Sequence, residues 1–401
     1  MHADATLITT LVAGFVLAFV LGMLALRLKL SPLVGYLVAG VVVGPFTPGW
    51  VADGGLASQL SELGVILLMF GVGLHFSPAD LFKVRKVAVP AALAQVAAVS
   101  ALGWGVGRLL GMADAEAALT GFCLSLASTV VVLRTLEERR LVRSELGRVA
   151  IGWLVVEDLV VIVALVLLPL LARAGSGGGA AVWLDGGWAI LRVVAFVGLM
   201  LLVGSRVLPW LLVRIAHTKS RELFTLGVLS IAMGVAWLAS AVFGASFALG
   251  AFVAGLVLNA SPLGHSAAER SLPLRDAFAV IFFVSVGMLF DPRTLLQRPA
   301  AVAAVLAVVI VGGTACAWGL ARLGRVPPRD ARLLGAGFGQ IGEFSFVLAG
   351  LGVTTKLMSR ETHDLVLAAA LLSIALNPFA LRLVDALDRR RAEPATALPA
   401  Q

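Results

Sequence analysis

Apolar residues in this chain fall into long runs separated by short polar turns. Measured against the ~20 residues that an α-helix needs to cross hydrocarbon, the runs predict about thirteen helices. They lie near 6–26, 32–47, 57–74, 87–110, 116–136, 147–171 and 187–213, then 222–242, 245–260, 272–290, 299–322, 331–352 and 364–384. Polar turns such as "SPADLFKVRK", "EERRLVRSELGR" and "GRVPPRDAR" divide them, and "ARAGSGGGAAVWLDGG" is the only Gly/Ser-rich linker. The fold class is therefore an all-α polytopic membrane protein. Residues 1–385 form its membrane part, and residues 386–401 form a short basic cytosolic tail. The first run is long and its early charge is acidic, which suits a spanning helix better than a cleaved signal.

The helices divide as six, one and six, so an element of the first six has its counterpart seven helices later in opposite orientation. That is the arrangement of an inverted repeat. Helix five pairs with helix twelve, and helix six with helix thirteen. Helix twelve, "LLGAGFGQIGEFSFVLAGLG", is rich in glycine and carries Gln340 and Glu343 at depth, as a broken helix would. Helix five has Ser125, Ser128 and Thr129 but no mid-span Pro or Gly, so its own sequence gives less reason for a break.

Composition agrees with the pattern. Hydrophobic residues make up 60% of the 401 residues, charged residues 13%, and the mean hydropathy is +1.01. No soluble core absorbs that much apolar sequence. One set of alternate connections, with the C-terminal tail, holds about 23 Lys and Arg against about 6 in the other set, which places the N-terminus outside and the C-terminus inside. The net charge of +8 follows from this asymmetry and does not point to nucleic acid. Cys123 and Cys316 both lie in apolar runs and suggest neither a disulfide framework nor a metal cluster.

The chemistry concentrates in "AIGWLVVEDLVVIVALVLLP", where Glu157 and Asp158 fall near the middle of a span. Insertion scales put the cost of a central Asp at roughly 2.5–3.5 kcal/mol, so such residues face a protein interior or a water-filled cavity. A structural role would need a buried Arg or Lys, and residues 149–172 contain none. A functional role is favoured. Ser128 and Thr129 are candidate ion contacts, although hydroxyls in membrane helices also bond their own backbone. Gly244, Gly250 and Gly255 read as close-packing positions. Glu62 reads as a solvated helix end, with a role in an entrance funnel as the lesser alternative, and His75 and His217 as solvated cytoplasmic residues.

Enzymatic readings fail on context. "GFGQIG" fits the dinucleotide-binding spacing, but that motif needs a strand before it and a βαβ unit. "GASF" is near an intramembrane serine nucleophile motif, yet no histidine at membrane depth could serve as its base.

Seven stretches occur in one order: "SPLVGYLVAGVVVGP", "SELGVILLMFGVGLHFSP", "STVVVLRTLEE", "IGWLVVEDLVVIVALVLLP", "GAFVAGLVLNAS", "FFVSVGMLFDP" and "GEFSFVLAGLG". In combination they resemble the Kef-type branch of the monovalent cation:proton antiporter-2 family over nearly the whole chain. The resemblance implies a sodium/proton-antiporter-like fold and a homodimer in the bacterial inner membrane. Each protomer would have interleaved dimerisation and mobile core parts. Helices five, six, twelve and thirteen would form the core, in which two broken helices cross beside an acidic helix.

By position, Asp158 matches the family's ion-binding aspartate and Glu157 the residue before it, and the resemblance implies that both belong to the cation- and proton-binding site. Ser128 and Thr129 match its broken-helix polar pair, Glu343 matches the acid of its "GEF" motif, and Gln340 supports the core. Asp158 is then the ligand of a monovalent cation. No cofactor is implied, because K⁺ or Na⁺ and H⁺ are the cargo.

Two departures shape the expectation. Electrogenic relatives carry a Lys in helix ten, whereas "SLPLRDAFAVIFFVSVGMLF" has only Arg275, near its inner end, which favours electroneutral exchange. Many Kef-type chains continue into a nucleotide-binding regulatory domain. This sequence ends in "DRRRAEPATALPAQ", so such a domain or subunit would lie outside these residues. The expected function is K⁺/H⁺ antiport. The alternatives are Na⁺/H⁺ antiport and a gated K⁺ efflux channel, and against the channel no TVGYG-like filter loop is present.

Overall fold

Backbone N–H and C=O groups in hydrocarbon have no water to bond, so a spanning chain must satisfy them internally, and helices do so. The computed structural model describes residues 3–28, 30–47, 54–75, 78–142, 144–174 and 179–392, and its regular structure among these is helical throughout. The first four spans are α1 (Ala3–Arg27), α2 (Pro32–Val43), α3 (Gly54–His75) and α4 (Pro78–Leu109). The fifth is divided into α5 (Asp114–Leu124) and α6 (Thr129–Glu138), and α7 (Glu145–Ala174) is continuous. In the seventh, α8 (Gly179–Leu199) and α9 (Ser205–Ala216) are joined through a π-helical turn, Met200–Gly204. Then come α10 (Arg221–Ala241), α11 (Phe247–Asn259), α12 (Gly264–Leu289) and the short α13 (Arg293–Gln297). A second π-helical stretch, Val308–Gly313, joins α14 (Pro299–Ala307) to α15 (Thr314–Leu323). The twelfth span is divided into α16 (Pro328–Phe338) and α17 (Glu343–Thr354), and α18 (Arg360–Ala392) completes the order.

By length and apolarity, 10 of these stretches can cross a membrane, and α2 and α11 are shorter apolar helices. With α12 they match the expected spans one for one. α18 runs on to Ala392, past the expected start of the tail at 386, and residues 393–401 of that tail lie outside the described residues.

The described residues divide into two compact units, and α1, α2 and α7 contribute to both. One unit holds Gly35–Pro78 and Val161–Phe290 with α1 up to Gly22. Here α3 packs along both α11 and α12. Ala18, Ala39, Val43, Ala57, Val284 and Met288 form one of its cores. Many of its exposed side chains are large and apolar, among them Phe19, Leu202, Trp210 and Trp237, which is what helices facing lipid require. Gly255 is a close-packing position, since a Cβ there would overlap the Phe70 carbonyl; Gly250 similarly abuts Ala239. Gly244 corrects the expectation. It has open space around it and a φ of +67°, so its role is the left-handed turn that ends α10, with its N–H donating to the Ser240 carbonyl at 3.1 Å.

The other unit holds Met23–Val34, Ala79–Val160 and the chain from Asp291 onward. Along the chain one succession that starts in this unit occurs twice, a helix interrupted after 11 residues and then a continuous helix of 30 or more. The core around Trp153, Leu154 and Val156 of α7 is closed by Ala88 and Ala92 of α4, Val132 and Leu136 of α6, and Leu334 and Phe338 of α16. Trp153 is fully buried, and its ring lies 5.0 Å from that of Phe338 at 49°.

Candidate functional site

The fifth span breaks without Pro or mid-span Gly because its serines bond the backbone themselves. Ser125 Oγ donates to the Phe122 carbonyl at 2.7 Å, just where α5 stops. Ser128 adopts an extended conformation (φ −77°, ψ 118°), and its Oγ accepts the Val131 N–H at 3.2 Å. It is thus the N-cap of α6, the position where serine competes best with helical geometry. The twelfth span breaks at Gly339–Gly342, and Gly342 is extended (φ −93°, ψ 171°) ahead of Glu343.

The two breaks meet. The Gly342 N–H donates to the Leu126 carbonyl at 2.8 Å, and Ser345 Oγ donates to the Cys123 carbonyl at 2.6 Å. A Cβ on Gly342 would lie 2.6 Å from the Ala127 carbonyl oxygen, so this backbone approach needs glycine. Ser128 Oγ donates to Glu343 Oε2 at 2.9 Å, and Gln340 Nε2 donates to the Ser128 carbonyl at 3.3 Å.

α7 lies beside the crossing. Glu157 and Asp158 are 1% and 6% exposed. Neighbours on a helix point about 100° apart, so the two acids reach different groups. Glu157 Oε2 accepts the Ala127 N–H at 3.1 Å, a donor that the break of the fifth span sets free. Thr129 Oγ1 donates to Asp158 Oδ2 across a longer 3.4 Å. Glu157 is thereby held to backbone, whereas among the described residues Asp158 has one loose hydroxyl contact.

Asp158 also sits in the electrostatic field of both Glu343 and Glu157. Among the described residues none of the three acids is in an ion pair. Compensation comes from the half-helices: the N-termini of α6 and α17 each present about half a positive charge to this region. Among the described residues Gln340 Oε1 is buried without a hydrogen-bond partner, and the side chains of Trp153 and Glu157 lie within reach of one another. Trp153 precedes Glu157 by one turn on the same face of α7.

All six sequence candidates, Ser128, Thr129, Glu157, Asp158, Gln340 and Glu343, therefore occupy one region. Glu62 and His217 are exposed, and the side chain of His75 lies outside the described residues. Arg275 pairs with its neighbour Asp276 at 2.8 Å. Sequence reasoning passed over Ser373 and Asn377 of α18, which bond to the backbone of the twelfth-span break. Their one signal was two polar residues inside an apolar run, "LLSIALNPFA".

The transmembrane family described as sodium/hydrogen exchanger matches residues 15–384. The chain belongs to the sodium/hydrogen exchanger family. It is 55% identical over 388 residues to YbaL of Escherichia coli (strain K12), a protein named for cation/proton antiport. That match covers 96% of this chain and 70% of YbaL. It is 32% identical to the glutathione-regulated potassium-efflux system protein KefC of Enterobacter sp. (strain 638), over 92% of this chain and 59% of that relative. Its fold is similar to that of the sodium proton antiporter MjNhaP1 from Methanocaldococcus jannaschii, with a TM-score of 0.70 at 16% identity. This likeness covers 96% of this chain and 99% of MjNhaP1. As a sodium/hydrogen exchanger family member the chain is a multi-pass membrane cation/proton antiporter and not an enzyme.

Proposed function

We propose that this antiporter exchanges K⁺ in preference to Na⁺ for H⁺ by alternating access, with cation and proton competing for Asp158. One observation carries the reading. Asp158 is a buried carboxylate at the crossing of two broken helices, with a single loose hydroxyl partner and no ion pair among the described residues. A bare carboxylate at the bilayer centre costs roughly 2.5–3.5 kcal/mol on insertion scales. A bound proton or a bound monovalent cation removes that charge. Either loaded form crosses cheaply and the empty one does not, so movement of one ion obliges return of the other. The Kef-type motifs and the potassium-efflux naming of a 32% identical relative support K⁺. The same resemblance supports a homodimer in the bacterial inner membrane, and the basic connections support an external N-terminus and a cytoplasmic C-terminus.

Proteoliposomes loaded in turn with K⁺, Na⁺, Li⁺ and Rb⁺ under one pH gradient test the ion choice. K⁺ and Rb⁺ are expected to drive the fastest proton movement, and faster exchange with Na⁺ and Li⁺ would replace K⁺ by Na⁺ as substrate. One proton against one cation moves no net charge. An imposed potential should then leave turnover almost unchanged, whereas each unbalanced charge would couple at about 2.3 kcal/mol per 100 mV. A strong, sign-dependent change in rate would make Glu157 a second proton carrier.

Glu157 is the structural member of the acidic pair on this reading. A glutamine can still accept the Ala127 N–H, so Glu157→Gln should retain exchange with a shifted pH profile or cation affinity. Total loss in the same vesicles would mean that both acids carry substrate.

A further inference from the structure

Breaking a helix strands backbone groups that must find partners elsewhere. In a continuous helix the Ala336 carbonyl would accept the Gln340 N–H, and the Ile341 N–H would donate to the Gly337 carbonyl. α16 stops at Phe338, and three side chains replace these bonds. Asn377 Nδ2 donates to the Ala336 carbonyl at 2.7 Å. Ser373 Oγ accepts the Ile341 N–H at 3.1 Å, while its own proton goes to the Ala370 carbonyl at 3.0 Å. Gln340 Nε2 donates to the Gly337 carbonyl at 3.2 Å.

Ser373 and Asn377 are one turn apart on the same face of α18, 0% and 2% exposed. Together they hold both sides of the break: one takes a carbonyl before it, the other an N–H within it. Ile341 is followed directly by Gly342, bonded to Leu126, and Glu343, bonded to Ser128. The register of Ile341 on α18 therefore sets where both contacts with the other break fall. Among the described residues Asn377 Oδ1 has no hydrogen-bond partner. The residue also lines a cavity of about 420 Å³ whose wall includes Val131 and Thr135 of α6.

We propose that Ser373 and Asn377 are positioning residues for ion exchange, fixing the Gln340–Glu343 segment against Ser128 and thereby setting the cation affinity of the Asp158 region. The inference rests on the exchange reading above. A simple structural clasp would affect stability alone, whereas a positioning pair affects affinity at unchanged turnover.

The test compares wild type, Ser373→Ala, Ser373→Thr and Asn377→Leu in proteoliposomes with K⁺ and with Na⁺, separating KM from kcat. Ser373→Ala and Asn377→Leu should raise KM for the transported cation by roughly tenfold, the affinity equivalent of one lost hydrogen bond, with kcat nearly unchanged. Ser373→Thr keeps the acceptor and should stay near wild type. An unchanged KM overturns the proposal, as does a Ser373→Thr variant that behaves like Ser373→Ala. If wild type moves neither ion, the exchange reading itself fails. Titrating K⁺ and Na⁺ against the Tm of the purified protein then reads affinity without transport. Midpoints displaced in Ser373→Ala support positioning in that case, and midpoints equal to wild type, or no cation response, overturn it.

Discussion

Asp158→Asn is expected to lower cation-driven proton movement in proteoliposomes to the rate of protein-free vesicles. The substitution is close to isosteric, and the carboxamide oxygen can still accept the Thr129 hydroxyl that now meets Asp158 Oδ2 at 3.4 Å. What disappears is the ability to alternate between a charged and a neutral form. An amide cannot exchange a proton for a cation, and it gives a dehydrated cation no counter-charge to offset its loss of water. Folding should survive, because the change removes a charge that Glu343 and Glu157 both oppose and breaks no ion pair among the described residues. The purified variant should elute from size-exclusion chromatography as wild type does and melt no lower. Loss of exchange with an intact elution profile assigns the deficit to chemistry. Exchange at the wild-type rate would remove Asp158 from the mechanism and leave Glu157 and Glu343 as the acids to examine.

The spans were legible because lipid imposes one requirement, a continuous apolar run, and sequence displays it directly. The acidic pair was legible for the converse reason, since two carboxyls in such a run are too costly to be incidental. The division of helix five was much less so. Its break is made by Ser125 and Ser128 bonding their own backbone and by the Leu126 carbonyl receiving the Gly342 N–H from a segment more than 200 residues away. No local pattern encodes that second partner. The role of Ser373 and Asn377 was hidden for a related reason, because the backbone groups they satisfy become free only once the twelfth span is broken. Glycines divide in the same manner. Gly244 serves a positive φ and Gly255 a close approach, and the letter G does not distinguish them.

Gly342→Ala should lose most exchange activity and lower the Tm of the purified protein, while Gly350→Ala, eight positions later, should do neither. Gly342 has φ −93° and ψ 171°, backbone values that alanine adopts freely, so no conformational penalty applies. The obstacle is space. A Cβ there would lie 2.6 Å from the Ala127 carbonyl oxygen, 2.8 Å from its carbon and 2.9 Å from the Ser128 Cα. All three are backbone atoms, so no rotamer change relieves the overlap and the two breaks must move apart. Overpacking of this kind costs about 1–3 kcal/mol. Separation would lengthen the bond from the Gly342 N–H to Leu126, now 2.8 Å, and the one from Ser128 to Glu343, now 2.9 Å. Gly350 lies in the middle of α17 with nothing within 4 Å of its Cβ position, and alanine there should be neutral or stabilising by roughly 0.5–1 kcal/mol. Exchange assays and thermal melts on both variants distinguish a specific role for the crossing from a general intolerance of glycine replacement. Equal behaviour of the two variants would show that the close approach of the breaks is not what holds the carboxyl groups together.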